Sequence, residues 1–243
     1  NVYRRNLDDE KFPSIADAYM NWRSHLQSFG LGRKLGSDLA YEMEGFIPTD
    51  KYFDKFYGEG RWKSLMLVSM AIGQGELGLT PFQMANLTAA VANRGYYYIP
   101  HIVKSIEGES DIASRFKEKQ YTSIDRKYFE PVINGMELVV QSGTATRARV
   151  KGISICGKTG TAENPHGKDH SIFIAFAPRD EPKIALSVYV ENAGFGSTWA
   201  APIASLMIEK YLRDTITRSY LEKYILDANL LIDKEKEQTN ENR

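Results

Sequence analysis

Gly152-Ile-Ser-Ile-Cys-Gly-Lys-Thr-Gly-Thr-Ala-Glu163 is the stretch whose reading decides the fold. It fits two patterns that need opposite structures. Gly152, four residues, then Gly157-Lys158-Thr159 matches the phosphate-loop spacing G-x-x-x-x-G-K-[ST]. That loop must curl into the N-terminus of a helix. The residues here favour something else. Ile153, Ser154, Ile155 and Cys156 alternate and prefer a pleat. Asn164-Pro-His-Gly167 downstream is turn composition and a poor helix start.

The second reading is an edge strand carrying Lys158-Thr159-Gly160-Thr161. A lysine there places an ammonium beside an acyl-transfer site. Gly160, without a Cβ, lets a substrate backbone lie against the strand. Thr161 offers a hydroxyl to a carboxylate and a backbone N–H to a developing oxyanion. Lys-Thr-Gly is also the third motif of the serine acyltransferases that react with penicillin, after Ser-x-x-Lys and a Ser-x-Asn type motif.

Three further segments surround this strand: His170-Ser-Ile-Phe-Ile-Ala-Phe-Ala-Pro178, Gly73-Gln-Gly-Glu-Leu-Gly-Leu-Thr-Pro-Phe-Gln-Met-Ala85, and the turn from Gly32 to Leu39 with Asp38-Leu39. With Gly157-Lys-Thr-Gly-Thr-Ala-Glu163 they resemble, in order and over most of the chain, the transpeptidase domain of class B penicillin-binding proteins, the elongation-type penicillin-binding protein 2 branch. The resemblance implies an α/β, β-lactamase/transpeptidase-like fold, an antiparallel sheet flanked by helices. It implies that Lys158 and Thr161 are catalytic and that Lys158, Thr159, Gly160 and Thr161 bind substrate. The implied partners are peptidoglycan stem peptides ending in D-Ala-D-Ala, β-lactam antibiotics and a membrane glycan polymerase of the elongation machinery. No cofactor and no metal are implied. The implied location is the periplasmic face of the bacterial inner membrane, with an N-terminal anchor not present in this chain.

The chain departs from the family pattern at the other two motifs. Ser114-Arg-Phe-Lys117 is the one Ser-x-x-Lys in the sequence, and it lies in a charged excursion with no apolar helix behind it. It is read as a decoy. Tyr19-Met-Asn21 mimics a second-motif variant but sits in an amphipathic helical pattern. The family places its first two motifs before the segment that begins here at Asn1. The expectation is therefore the C-terminal portion of a single transpeptidase domain: 1–150 mainly helical, 151–212 sheet and helix, 213–243 helical and charged tail. Serine acyl transfer needs a nucleophile and its base, so this stretch alone is expected to be inactive. A β-lactamase, a non-catalytic penicillin-sensing domain and a phosphate-loop nucleotide binder remain as alternatives.

Bulk properties narrow the field. Lys plus Arg and Asp plus Glu are 31 each, so no net charge draws the chain to nucleic acid. The single cysteine, Cys156, excludes an internal disulfide and is expected as a buried thiol. His166 and His170 are spaced like metal ligands on a helix but fall in a turn, and no third ligand accompanies them. Trp199 is expected to anchor the start of a helix.

Periodicity supplies the remaining elements. A helix capped by Ser14 places Ile15, Ala18, Tyr19, Trp22 and Leu26 on one face. Thr49-Asp50 starts another, and Thr80-Pro81 opens the cleanest one, its apolar stripe read as core. Tyr96 to Pro100 and Ile102 to Ile106 read as strands, and 107–125 as a polar surface excursion. Tyr128 to Val140 reads as helix, with Phe129, Val132, Ile133, Met136 and Val140 on its apolar face. Strands over 152–162, 171–177 and 183–191 follow, joined by short antiparallel connections. Helices over 200–212 and 216–231 and a frayed tail over 235–243 complete the reading.

Overall fold

The computed structural model describes residues 12, 14–109 and 111–230. The expected tail over 235–243 and the start of the chain lie outside them. The chain forms two compact units, residues 1–133 and 134–243.

The first unit is mainly helical. Helix α1 (Ile15–Ser28) begins where Ser14 Oγ accepts the Asp17 N–H at 3.1 Å. Helix α2 (Asp50–Tyr57) begins at Thr49, whose hydroxyl caps Tyr52 N–H. Tyr19, Phe53 and Trp62 pack edge to face with centroids 5.4 and 5.8 Å from Tyr19, joined by Met70 from α3 (Ser64–Ala71). Burial pushes the Tyr19 phenol up, so it stays protonated and donates to Pro48 O at 2.8 Å. Tyr19-Met-Asn21 is thus a packing segment, as expected.

Helix α4 (Pro81–Ala92) has Pro81 in its first turn and a full capping box between Thr80 and Gln83. In the expected apolar stripe (Met84, Leu87, Ala90 and Val91), Ala90 is fully buried and Leu87 packs against the Tyr19 cluster, but polar residues are buried beside them. Gln83, Asn86, Thr88, Ala90 and Ala92 are buried, while Met84, Leu87 and Val91 are half-exposed. The reason is hydrogen bonding. Gln83 Nε2 donates to Gly30 O (3.4 Å), Arg33 O (2.9 Å) and Glu44 O (2.9 Å), and Asn86 Nδ2 to Phe29 O (2.9 Å). The helix buries amides because irregular backbone over 29–45 has carbonyls to satisfy.

Strand β1 (Tyr96–Tyr98) pairs antiparallel with β2 (Lys119–Tyr121). The partner strand lies inside the stretch read as a polar excursion. The expected strand over 102–106 does not form. Ile102 and Val103 N–H donate instead to the Asp38 carboxylate at 2.8 to 3.0 Å, which takes the donors a ladder would need. Helix α5 (Phe129–Gln141) buries Phe129, Ile133, Met136 and Val140, but leaves Val132 half-exposed.

The second unit holds a three-stranded antiparallel sheet, β3 (Cys156–Ala162), β4 (His170–Ala177) and β5 (Ile184–Val190), in that order, so β3 is an edge. The central strand turns Phe173, Ala175 and Ala177 into the core, against Ala200, Ala201, Ala204 and Ile208 of α6 (Ala200–Arg213). Small residues on the helix let it approach the sheet closely. Helix α7 (Ser219–Leu226) is shorter than the sequence pattern suggests. So is β3. Gly152 takes φ +77° in a tight turn, with Ile153 N–H bonded to Val150 O at 3.1 Å, and the strand starts only at Cys156.

Candidate functional site

Positions 158 to 161 are extended. Lys158 pairs with Ile174, Thr159 with Phe173, Gly160 with Ile172 and Thr161 with Ser171. No helix follows Thr159; the strand runs on to Ala162. The backbone N–H groups of a phosphate loop must converge on one point, and a ladder turns them alternately to opposite sides. The phosphate-loop reading therefore fails on backbone geometry.

The pleat sorts the side chains. Lys158 and Gly160 share one face of β3, and Gly157, Thr159 and Thr161 the other. Lys158 is exposed, and its Nζ rests on Thr159 O at 2.6 Å. A Cβ on Gly160 would lie 3.3 Å from Ile172 Cβ, on the lysine face. Gly157 has another role: a Cβ there would strike the Phe173 ring.

The closest backbone approach to Gly160 comes from the chain itself. A Cβ on Gly196 would collide with the carbonyl oxygens of Gly160 and Ile172. The bend over 192–198 is seated there by Ser171, which is fully buried. Its Oγ donates to Phe195 O (2.9 Å) and accepts the first N–H of α6, from Ala200 (3.1 Å). Trp199, just before that helix, stacks on Tyr224 at 5.4 Å with an interplanar angle of 6°, so it anchors the helix start. Arg147 lies over the Tyr224 ring at 5.5 Å and donates to Thr198 O at 3.4 Å.

The turn beyond β3 is braced. His170 Nδ1 accepts the Asn192 N–H at 3.0 Å, and its ring packs on Tyr189 at 5.2 Å. Asn164 Nδ2 donates to Asn192 Oδ1 at 2.6 Å. His170 is thus a structural histidine, and no group of three metal-ligating side chains occurs among the described residues. Cys156 is fully buried in β3. Ser114 is exposed at the start of a 3₁₀ turn whose Phe116 is buried, and Lys117 is paired with Asp111.

Sequence reasoning missed Thr144. Its Oγ1 lies 2.8 Å from Thr159 Oγ1, from a turn that follows α5. The neighbouring Ser142-Gly143 marks a helix end, but nothing in the letters says that the turn reaches β3. Ser171 and Gly196 were missed for the same reason: each acts on a segment distant in sequence.

A family description, the penicillin-binding protein transpeptidase domain, matches residues 6–209. The chain belongs to that family. Among curated relatives it is 32% identical to the peptidoglycan D,D-transpeptidase MrdA of Acinetobacter baumannii, over 77% of this chain and 30% of that protein. It is 31% identical to MrdA of Haemophilus influenzae, over 86% of this chain and 34% of that protein. The chain thus spans about a third of the length of these relatives. Its fold superposes on Pseudomonas aeruginosa PBP2 in complex with WCK 5153 with TM-score 0.69 at 30% identity, covering 84% of this chain and 47% of that one. It also superposes on Helicobacter pylori PBP2 in its complex with MreC, with TM-score 0.68 at 26% identity, covering 88% and 38%. The α/β fold, an antiparallel sheet flanked by helices, is the one expected.

Proposed function

We propose that the chain is the Lys-Thr-Gly portion of a peptidoglycan D,D-transpeptidase that cross-links stem peptides through a serine acyl-enzyme. The observation that carries this is an extended edge strand bearing Lys158-Thr-Gly-Thr161 in a chain of this family. In such an enzyme a serine attacks the penultimate D-Ala carbonyl, expels the terminal D-Ala and passes the acyl group to an amine. A β-lactam enters the same site and acylates the same serine.

Each residue of β3 has a role set by its place on the pleat. The peptide lies along the strand as an added antiparallel partner, since an edge offers unpaired N–H and C=O groups. Thr159 and Thr161, on one face, give hydroxyl protons to the terminal carboxylate. Lys158, on the other, supplies the positive charge that favours an anionic substrate and a deprotonated nucleophile. Thr161 N–H donates to the oxyanion of the tetrahedral intermediate; one such donor typically contributes ~10²–10³ in rate. Gly160 keeps the lysine face open beside Lys158.

The nucleophile is assigned to no residue of this chain. On this reading the stretch alone forms no acyl-enzyme; the pairing of Lys117 with Asp111 and the full burial of Cys156 support it. The domain is read as a single transpeptidase domain, of which the two compact units are parts. Action at the periplasmic face of the inner membrane, with an anchor and a glycan polymerase as partner, follows from the same reading. No helix among the described residues is long and apolar enough to cross a membrane.

The test is non-covalent binding. A ¹⁵N-labelled chain titrated with diacetyl-L-Lys-D-Ala-D-Ala is expected to shift the backbone amide signals of 158–161, and the C-terminal amide of the same peptide to shift them less. Equal response to both peptides, or none, overturns the proposal.

A further inference from the structure

Thr144 lies outside the Lys-Thr-Gly strand, and its contact with Thr159 is not a packing contact: Thr144 is exposed. Yet the turn that presents it is firmly built. Ser142 and Gly143 N–H both donate to Leu138 O at 2.9 and 3.0 Å, and Ala145 N–H donates to Val139 O at 3.0 Å. Ala145 and Ala148, on either side of Arg147, are fully buried in the core formed with α6. A Cβ on Gly143 would lie 2.8 Å from Val139 Cα, so only glycine lets the chain turn this sharply toward β3.

Two hydroxyls in contact share one proton between them: one donates, the other accepts. The direction matters at β3. If Thr159 gave its proton to Thr144, it would have none left for a bound carboxylate. If Thr144 gives its proton to Thr159 Oγ1, the Thr159 proton is freed and turned outward, and the donated bond makes it a stronger donor. An anion on the Thr159 and Thr161 face selects the second arrangement. A neutral amide in the same place, able to donate as well as accept, does not. Lys158 cannot set this direction, because the pleat holds it on the opposite face.

We infer that Thr144 is a positioning residue for recognition of a carboxylate, orienting the Thr159 hydroxyl so that its proton points at the substrate's acidic end. The inference rests on the substrate proposed above. A purely structural bond, tying the turn to the strand, makes a different prediction: its loss affects every ligand alike.

The experiment is the same titration on the full 243-residue chain, with diacetyl-L-Lys-D-Ala-D-Ala and its C-terminal amide as the two probes. Thr144→Val keeps the shape and removes the hydroxyl. It is expected to weaken binding of the carboxylate peptide about fivefold, the worth of one hydrogen bond, and to leave the amide unchanged. Thr144→Ser is expected to restore wild-type selectivity. Unchanged binding of both peptides in Thr144→Val, or an equal loss for both, overturns the inference while leaving the substrate reading intact. An unsubstituted chain that fails to distinguish the peptides removes the substrate reading first, and this inference with it.

Discussion

Arg218 donates from Nε to the fully buried carboxylate of Glu209 at 2.9 Å, and that bond closes the corner between α6 and α7. The same carboxylate accepts from Thr217 N–H (3.2 Å) and Thr217 Oγ1 (2.5 Å). Arg218 continues to Ser205 Oγ (3.1 Å) and Arg149 O (3.3 Å). Removing one member of a buried pair strands the other. Glu209→Ala is therefore expected to cost about 3–5 kcal/mol in the second unit, read by urea unfolding. A cost under about 1 kcal/mol would show that the pair is not the brace.

The pair also predicts an acid limit. Burial alone raises the Glu209 carboxyl, but the Thr217 and Arg218 hydrogen bonds and the Arg218 charge outweigh it and hold it below its ordinary value. A lowered folded pKa stabilises fully above the unfolded value, about 4.3, and the stabilisation is lost as pH falls through the folded one. Thermal unfolding between pH 7 and pH 3 is expected to show a steeper fall for wild type than for Glu209→Gln. Parallel curves would assign the acid sensitivity to other carboxylates.

Gly196→Ala places a methyl group against two carbonyl oxygens, those of Gly160 and Ile172. The bend must lift from β3, at a cost of about 1–3 kcal/mol. Faster hydrogen exchange at Ala200 N–H, which Ser171 Oγ caps, would report the lift directly. Retained protection there would mean that the strand, not the bend, gives way.

Lys158→Ala leaves the fold intact, within about 0.5 kcal/mol, because the side chain is exposed. Its effect is expected on binding: weaker response to diacetyl-L-Lys-D-Ala-D-Ala, strongest at low salt. Unchanged affinity across salt concentrations would remove Lys158 from the site.

Gln83→Leu in the first unit keeps volume and removes three donor contacts to Gly30, Arg33 and Glu44 carbonyls. The amide has two protons for these carbonyls, of which the Gly30 contact is buried and the other two part-buried, so a loss of about 1–3 kcal/mol is expected by chemical denaturation. A near-neutral effect would mean that water replaces the amide.

Local chemistry made much of this legible. Ser14, Thr49 and Thr80 each announce a helix start because a capping side chain acts on N–H groups two or three residues away. The antiparallel order of β3, β4 and β5 follows from connections too short for anything else. Errors came where long-range partners intervened. Asp38 took the N–H groups of Ile102 and Val103, and the carbonyls over 29–45 turned α4 to bury Gln83 and Asn86 more fully than Met84 and Leu87.

By itself the amino-acid sequence determined that Lys158-Thr-Gly-Thr161 would be strand and not loop, because Asn164-Pro-His-Gly167 is turn composition and cannot begin the helix a phosphate loop needs, although Ile153, Ser154 and Ile155 themselves lie outside the strand. Only the tertiary structure decided what meets that strand: Thr144 at Thr159, Gly196 at Gly160, Ser171 beneath the bend. Those contacts join residues between 15 and 36 positions apart, and no local preference encodes a distance across the fold. Packing around Phe173 and the α6 alanines sets it.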